Sequence, residues 1–574
     1  SFAEAPCAIS VLTAEDLKSF GPTDLPEVFR LVPGLHVARI DANKWAVTAR
    51  GFNGRFSNKL LVLMDGRSIY TPLFGGVYWD IQEVISGDLD RIEIIRGPGA
   101  TLWGSNAVNG VINIVTKSAF ETQGVFLKAG TGTHRRAYAQ ARYGGKISED
   151  LAYRLYGSYL FHSAFADVSN NVGEDQWQRL YGGARIDWRR KEGSVVTVLF
   201  NTAYLEAGTA ATIPTLQSPY VNFKDLITYA DNESILFLWQ EKVAQKASLS
   251  LQLYYDRSKR KDVYLDEERQ TFDIDLQHRF QVPFLQGVSW GANFRLSSDD
   301  TLCSEIAELS PRERTLTLFA AFLQNDLTLL EDLLRVTSGI RYETSNQTQQ
   351  QIQPSIRFLI KTHPRHFLWA AYSKAVRMPT RGDDDNTLWL STISGTPPTK
   401  IVSRGSRKFS AEKFHIFEVG LRSILKDNVS LDLAAYYTLG SDLRVLKPGT
   451  LTLDPGPPLH AVKTLIVSNK AEAEVFGVEL APTWKVTEWW SLKLAYTFFK
   501  SHFKRKSVYM AEVPELRSPQ NQVALQSTFR LPFNLKLDAF FFAIEKVPLF
   551  SRASGYVRFD LHLFWQPWGD DRLE

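Results

Sequence analysis

The side chains that could carry out chemistry are few and scattered in this chain. His363 and His366 form the nearest histidine pair, and Asp383, Asp384 and Asp385 could together coordinate a divalent cation. The histidines lie in a predicted short turn, and an aspartate run of this size is usually solvated, so we expect no metal site at either place. Neither a His-Glu-x-x-His motif nor a Gly-x-Ser-x-Gly motif occurs. We therefore predict that the protein is not an enzyme and holds no cofactor.

One glycine-rich segment has the spacing of a phosphate-binding loop. Gly99 and Gly104 stand where such a loop needs its two glycines, but Ser105 occupies the position of the essential lysine. Nothing at this site would neutralise a phosphate group. We interpret the glycines as tight turns between strands instead.

Two other segments have the composition of a ligand-binding surface. Residues 52–58 and 74–80 place aromatic side chains beside glycine, arginine and amide groups. Aromatic rings offer contact area at little entropic cost, and arginine or asparagine orients a ligand through hydrogen bonds. The predicted contacts are Phe52, Arg55, Phe56, Asn58, Phe74, Tyr78 and Trp79, with Arg377, Arg381 and Trp389 from the polar segment Val376–Lys408. Packing of the same aromatics against neighbouring protein is the alternative.

The composition indicates what kind of scaffold carries these residues. Aromatic residues make up 12% of the 574 residues and charged residues 22%, while the mean hydropathy is only −0.18. This combination is typical of a membrane β-barrel, in which each strand shows one face to lipid and one to a polar lumen. The longest apolar runs, such as Leu60–Met64, are much shorter than a membrane-spanning helix. The net charge of +4 suggests no nucleic-acid partner, and two cysteines give no disulfide framework.

Alternating apolar and polar residues dominate the chain from about Gln123 onward. Ala247–Tyr255, Phe272–Arg279 and Val557–Trp565 are clear examples. Runs of roughly 9–11 residues with this period fit membrane-spanning strands. Full charges lie on some of the polar faces, and the dry core of a β-sandwich would not accept them. The pattern yields about 20 candidate strands.

The connections between these strands alternate in length. Lys191–Gly193 and Leu425–Asn428 are short, whereas Tyr204–Ala230, Ser297–Arg312 and Gly440–His460 are long and polar. Short turns on one side and long loops on the other are typical of an outer-membrane barrel, with the turns in the periplasm.

The first 120 or so residues follow a different pattern, that of a compact α+β unit. Thr13 and Asp16 form a predicted helix N-cap and capping box, and a second helix is predicted from Thr23 to Leu31. The predicted strands are Val37–Ile40, Trp45–Ala49, Leu60–Met64, Arg91–Ile95 and Val111–Thr116. The pattern alone fits an independent soluble domain equally well.

Six motifs in order make this unit resemble the plug domain of TonB-dependent outer-membrane receptors. They are Pro33-Gly-Leu35, Arg50-Gly-Phe52, Leu63-Met-Asp-Gly66, Ile92–Pro98, Trp103-Gly104 and Gly110–Ile114. Three weaker matches follow in the barrel region: Tyr372–Pro379, Glu412–Gly420 and Phe476–Leu480.

The resemblance implies an α+β plug domain, residues 1–120, inside a large antiparallel transmembrane β-barrel, residues 121–574. Family barrels have 22 strands, more than the pattern yields here. Trp568–Glu574 has the character of a turn entering another strand. We therefore expect about two further strands after Glu574, because an open edge in lipid would leave backbone groups unpaired.

The resemblance also implies a function and partners. Charge pairs are expected between Arg50, Arg91 and Arg96 of the plug and Glu418 and Glu479 of the barrel, although pairing within each domain is the alternative. The expected activity is active import of a scarce, large ligand across the bacterial outer membrane, powered by TonB through a short box preceding Ser1. A ferric siderophore is the first candidate and cobalamin the second; a passive plugged porin or an adhesin remains open. We expect a monomer surrounded by outer-membrane lipid.

Overall fold

The computed structural model describes residues 4–21, 24–165, 173–282, 285–330, 333–505, 518–547 and 554–567. Its N-terminal unit contains a five-stranded sheet in the order β1-β6-β7-β4-β5 and a separate β2–β3 hairpin. The strands are β1 (Ala8–Thr13), β2 (Leu35–Arg39), β3 (Trp45–Ala49), β4 (Leu60–Met64), β5 (Arg67–Ser68), β6 (Leu89–Arg96) and β7 (Gly110–Thr116). The α-helices are α1 (Ala14–Phe20) and α2 (Ala100–Trp103), and 3-10 turns cover Leu25–Leu31, Trp79–Ile81, Ser86–Asp88 and Ala119–Glu121.

Local signals in the sequence locate these elements well. Thr13 caps α1, its side chain accepting a hydrogen bond from the Asp16 backbone while the Asp16 carboxylate closes the capping box. The predicted strands Trp45–Ala49 and Leu60–Met64 are confirmed with the same limits. The second predicted helix is a 3-10 helix, Leu25–Leu31, with a proline in its first turn; residue 23 lies outside the described part of the chain.

Twenty long strands wrap around this unit as a barrel in the described residues, each antiparallel to its neighbour. They are β8 (Gly124–Gly130), β9 (Arg135–Ser148), β10 (Leu151–His162), β11 (Trp177–Lys191), β12 (Ser194–Pro214), β13 (Val221–Ala244), β14 (Ala247–Lys261), β15 (Leu265–Val282), β16 (Leu285–Cys303), β18 (Glu313–Leu330), β19 (Leu334–Ser345), β20 (Gln351–His363), β21 (His366–Arg377), β24 (Glu412–Lys426), β25 (Val429–Asp454), β26 (His460–Lys485), β27 (Trp490–Arg505), β28 (Asn521–Leu531), β29 (Leu535–Ile544) and β30 (Tyr556–Trp565). The short β17 (Ala307–Leu309), β22 (Asn386–Ile393), β23 (Thr399–Arg404) and helix α3 (Arg381–Asp384) lie between barrel strands.

The strands alternate between two environments, as the period-two pattern predicts. Leu127, Phe272, Phe319 and Leu561 are large apolar side chains exposed on the outside of the barrel, where lipid would cover them. None of the described helices is long and apolar enough to cross a membrane. The described strands form a closed barrel in which β30 is the neighbour of β8, so the open edge from which two further strands were expected is not present and that expectation was wrong. The predicted turn Trp568–Glu574 lies outside the described residues.

Several segments predicted as long loops are instead β-hairpins that extend far beyond a bilayer. Strands β12 and β13 continue to Pro214 and from Val221, through most of the predicted loop 204–230. Strands β25 and β26 are 26 residues each, against roughly 9–11 needed to cross the membrane. The prediction was wrong because it relied on polarity. Outside the lipid, strand pairing alone satisfies the backbone hydrogen-bonding groups of a hairpin, so its strands can be polar on both faces.

The core is shared by plug and barrel. Phe20 of the plug contacts Phe540 of the wall with ring centroids 5.1 Å apart, and Trp45 contacts Trp177 at 6.2 Å. All four side chains are buried. The plug therefore fills the barrel rather than lying beside it.

Candidate ligand-binding site

A cleft lies where the plug loops meet the hairpins on the long-loop side of the barrel. We call it the outer cleft; it is open to solvent and has a cavity volume of about 460 Å³. Its plug side is lined by Phe52, Asn53, Gly54, Arg55, Phe56, Asn58, Lys59 and Phe74, and its barrel side by residues that include Tyr264, Thr380, Asp383, Leu388, Glu412, Arg444 and Phe503. Long hairpins are extracellular in outer-membrane barrels, so the cleft faces the outside of the cell.

Aromatic rings form one wall of the outer cleft. Phe56 stacks on Phe74 with ring centroids 5.3 Å apart and meets Tyr78 edge-on at 5.6 Å. Phe52 is only 8% exposed and packs edge-on against Phe414 of the barrel at 5.8 Å. Phe56 and Phe74 thus present a preformed aromatic surface, whereas most of Phe52 is used in packing.

Three cationic side chains surround this aromatic wall. Arg55 lies over the Phe56 ring at 5.0 Å and is 3.7 Å from the Asp262 carboxylate. Arg444 donates to Asp383 at 2.9 Å, and the Lys59 ammonium is 3.1 Å from Glu412. The side chains of Arg55 and Arg444 remain 22% and 24% exposed, so both can reach a ligand in the cleft.

Two of the predicted contact residues lie elsewhere in the plug. Trp79 is 5% exposed and packs against Phe29 with ring centroids 5.5 Å apart. Tyr78 lines a neighbouring cavity, where the Arg260 guanidinium lies 4.1 Å from its ring centre, and burial raises the pKa of its hydroxyl far above the ordinary value. Trp79 is therefore packed inside the protein, which was the alternative given for the aromatic residues of these segments.

The predicted contacts Arg377 and Arg381 are structural in this conformation. Both are fully buried. Arg377 pairs with Asp383 at 2.7 Å and Glu412 at 2.6 Å, and Arg381 pairs with Asp299. Trp389 lies on β22 beneath the Lys400 ammonium, next to cleft residue Leu388 rather than in the cleft.

The aspartate run is buried, which corrects the expectation that it would be solvated. Asp383, Asp384 and Asp385 are each at most 6% exposed. Burial alone would raise the pKa of Asp383, but Arg377 and Arg444 hold it at about 2. Burial raises the pKa of Asp384 to about 6. Within the described residues, no group of three or more histidine, cysteine or acidic side chains is arranged to hold a metal ion.

A buried charge cluster joins the plug to the barrel beneath the outer cleft. Arg50 contacts Glu418 at 2.6 Å and Glu479 at 2.8 Å, and Arg96 contacts Glu479 at 2.7 Å. We call these four residues the latch. Arg91, which the resemblance also implied, is not part of it: its guanidinium pairs with Asp90 and Glu93 within the plug and is 39% exposed.

Glycine allows the plug backbone to approach the latch closely. A Cβ atom on Gly34 would lie 2.3 Å from a Glu479 carboxylate oxygen, and one on Gly97 would lie 2.4 Å from Glu418. Both glycines also have positive φ angles, +80° and +105°, which other residues rarely adopt. The Pro33-Gly34 and Gly97-Pro98 motifs thus place backbone against the two barrel carboxylates.

Several cleft residues were missed by the sequence analysis. Lys59 immediately follows the predicted segment 52–58, so its position in the sequence could have identified it as a cleft residue. Arg444 and Phe503 come from β25 and β27, and their place in the cleft depends on which hairpins lean over the plug. No local pattern in the sequence reports that.

A barrel filled by a globular plug, with a ligand-sized cleft above and a buried charge cluster below, defines a plugged membrane receptor. A family model described as "TonB dependent receptor-like, beta-barrel" matches residues 120–573, and a second, "TonB-dependent Receptor Plug Domain", matches residues 1–111. The chain belongs to the TonB-dependent receptors. It is an outer-membrane protein of Gram-negative bacteria, in a family of transporters and receptors.

Relatives of known sequence match only part of the chain. It is 32% identical over 133 residues to the vitamin B12 transporter BtuB of Vibrio vulnificus, which is 23% of this chain and 21% of the relative. It is 30% identical over 170 residues to the ferric enterobactin receptor of Pseudomonas aeruginosa, 26% of this chain and 22% of that one. The matched part thus spans about a fifth of each relative's length.

Solved structures match over almost the whole chain. The siderophore receptor PirA of Acinetobacter baumannii superposes with a TM-score of 0.76 at 15% identity, covering 97% of this chain and 90% of that one. A mutant of the ferric enterobactin receptor PfeA of Pseudomonas aeruginosa gives a TM-score of 0.78 at 16% identity, covering 98% and 91%. At such identities the likeness establishes the shared fold.

Proposed function

We propose that this receptor imports an anionic ferric siderophore by TonB-dependent active transport. The outer cleft carries the proposal, because it joins stacked aromatic rings and accessible cations at the tip of the plug. Its acidic lining residues, Asp383 and Glu412, are already paired with Arg377, Arg444 and Lys59. A ligand therefore meets Arg55 and Arg444 as hydrogen-bond donors, and flat aromatic groups find Phe56 and Phe74.

The charge and shape of the cleft favour this ligand class. Guanidinium groups donate strongly to the anionic oxygens of carboxylates and related ligands. The cavity volume of about 460 Å³ lies within the usual range of small-molecule pockets, so the cleft has room for a compact metal chelate. A mutant of the receptor PfeA, which shares the fold, has been solved in complex with enterobactin, and this supports the same ligand class here.

Binding of a ligand panel to the purified protein tests the proposal. The panel contains ferric catecholate, hydroxamate and carboxylate siderophores, cobalamin and free metal ions. We expect the tightest binding from an anionic ferric chelate, and Arg55→Ala should weaken it roughly 10- to 100-fold, the cost of losing a charged hydrogen bond. Arg91→Ala, at the opposite end of the plug, is the matched control and should bind as wild type. Unchanged affinity in Arg55→Ala would place the ligand elsewhere.

Cobalamin is the second candidate, favoured by the 32% identity to the vitamin B12 transporter. Cobalamin is bulky and carries amide groups, which the aromatic wall could also contact. The panel separates the two candidates, since a cobalamin receptor would bind cobalamin in preference to every ferric chelate and would respond weakly to Arg55→Ala.

A further inference from the structure

Strand β13 carries an acidic side chain on the outside of the barrel. Ile235 of this strand is 48% exposed, while its neighbour Leu236 is buried and lines a cavity next to the plug. Alternate residues of a strand share a face, so Trp239 and Glu241 lie outside together with Ile235. Strand β13 ends at Ala244, next to one of the short turns that face the periplasm in such barrels. The Glu241 carboxylate therefore lies at the periplasmic border of the lipid.

Two tryptophan side chains mark the same border. Trp188 of β11 pairs with Val196 of β12, which pairs with Trp239 of β13, so the three side chains form one row across the outer face. Trp188 is 45% exposed. Tryptophan is enriched at membrane interfaces, where its ring lies at the level of the lipid headgroups. Because Val196 is much smaller than the two indoles beside it, the row forms a shallow groove at headgroup level.

The next row toward the periplasm is charged. Lys191 pairs with Ser194, and Ser194 pairs with Glu241. Glu241 Oε2 accepts hydrogen bonds from the Ser194 hydroxyl at 2.5 Å and from the Trp239 indole at 3.2 Å. Glu241 Oε1 lies 2.5 Å from the Lys191 ammonium. A carboxylate offers about four acceptor positions, so one position on Oε1 remains for a donor that arrives from the lipid.

Positive charge lies beside this carboxylate. The Lys191 side chain is 60% exposed, whereas that of Glu241 is only 8% exposed. Arg190, at a bulge of β11, is exposed as well. An exposed guanidinium and ammonium suit the phosphate of a lipid headgroup, and a carboxylate next to the Trp239 ring suits an ammonium that carries N–H groups. The two charges together match a zwitterionic headgroup, whereas a purely anionic one would be repelled by Glu241.

We propose that the groove and the charged row bind one zwitterionic phospholipid of the periplasmic leaflet. Its phosphate contacts Arg190 and Lys191, its primary ammonium donates to Glu241 Oε1, and an acyl chain lies over Val196 in the groove. The bound lipid holds this side of the barrel at a fixed depth in the membrane. The inference is independent of the proposed import function, because no residue of the outer cleft takes part.

Lipid titration of the purified receptor tests the site. The protein is delipidated in detergent and titrated with phosphatidylethanolamine, phosphatidylglycerol or phosphatidylcholine of the same acyl chains, and native mass spectrometry counts the bound lipids. We expect one phosphatidylethanolamine to bind at least roughly tenfold more tightly than the other two, since phosphatidylglycerol lacks the ammonium and phosphatidylcholine lacks its N–H groups. Equal binding of the three lipids would reduce the site to a general aromatic belt and overturn the proposal.

Two acid-to-amide substitutions locate the preference. Glu241→Gln keeps the shape of the side chain but removes its charge, so the affinity for phosphatidylethanolamine should fall roughly tenfold, to that for phosphatidylcholine. Asp427→Asn lies in the exposed turn between β24 and β25; it is the matched control and should keep the wild-type preference. Equal outer-membrane levels and heat-modifiable gel mobility show that both variants fold. A wild-type preference in Glu241→Gln would overturn the proposal.

Discussion

Arg50 and Arg96 show how the plug can be held firmly without contributing much net stability. Each guanidinium is withdrawn from water and faces carboxylates that are equally buried. The cost of dehydrating such groups largely cancels their attraction, yet removing one partner leaves an unpaired buried charge. We therefore propose that the cluster fixes the position of the plug in the barrel.

The latch predicts a large effect of one arginine. Arg50→Ala leaves Glu418 and Glu479 short of a partner and should reduce the free energy of plug opening by about 3–5 kcal/mol. The labelling rate of the buried thiol of Cys7, measured in a Cys303→Ser background, reports this opening. Arg91→Ala removes only partly exposed ion pairs and should change the free energy of plug opening by less than about 1 kcal/mol. Equal labelling of the two variants would show that the latch does not hold the plug.

His36 makes the plug sensitive to acid. Burial lowers the pKa of its imidazole to about 4, although a hydrogen bond to Gln522 opposes the shift. The unfolded side chain titrates near about 6.5, so the unfolded state binds the proton first as the pH falls. Stability is full above about pH 6.5 and is lost as the pH falls toward 4, by roughly 3 kcal/mol.

Denaturant unfolding of the plug, followed by tryptophan fluorescence at several pH values, measures this loss. His36→Gln has no imidazole to protonate, so its unfolding midpoint should fall less between about pH 7 and pH 4 than that of wild type. If the unfolding midpoints of the two proteins fall equally with pH, the acid sensitivity comes from groups other than His36.

At the scale of elements, α3 and its flanking loop connect barrel and plug. The Arg381 and Gly382 amides donate to the Pro72 and Leu73 carbonyls at 3.1 and 2.7 Å, which ties the loop to the tip of the plug. Thr380 caps α3, and the Asp383 carboxylate accepts a hydrogen bond from the Thr380 backbone amide. The same carboxylate pairs with Arg377 and Arg444. One carboxylate thus organises both the loop and part of the outer cleft.

Loss of that carboxylate should release the loop. Asp383→Asn takes one charged partner away from each of two buried or half-buried arginines, so amide hydrogen exchange across residues 378–411 should accelerate roughly 100-fold or more. Asp427→Asn, whose pair with Arg365 is exposed, is the matched control and should exchange as wild type. Unchanged exchange in Asp383→Asn would mean that the backbone contacts with the plug hold the loop.

Local patterns predicted the plug better than the barrel exterior. The capping box at Thr13 and the strand Leu60–Met64 each follow from a few neighbouring residues, and the structure has them where expected. Gly99 and Gly104 lie between two strands as predicted, but they flank the short helix α2, which was not predicted. The aspartates of α3 looked solvated because their partners, Arg314 and Arg444, are far away in the chain. The lengths of β25 and β26 were not predicted, because the outer halves of these strands lack the alternation of apolar and polar residues.

At the scale of the whole molecule, the outer cleft and the latch lie at successive levels of the plug. Lys59 and Glu412 line the cleft, and Glu412 also pairs with Arg377 of the loop. In the proposed function, a ligand bound in the cleft would contact barrel and plug together, and a pull on the plug from the periplasm would act on the same unit. This arrangement suits energised import better than passive binding.

Uptake of a radiolabelled ferric siderophore, chosen from the binding panel, tests the central claim most directly. Cells producing the receptor should accumulate the label, while a strain lacking TonB, or cells whose proton-motive force has been collapsed, should bind it without accumulating it. Arg55→Ala should lower uptake at limiting concentration. Accumulation that persists after the proton-motive force is removed would contradict the account and indicate a passive plugged porin.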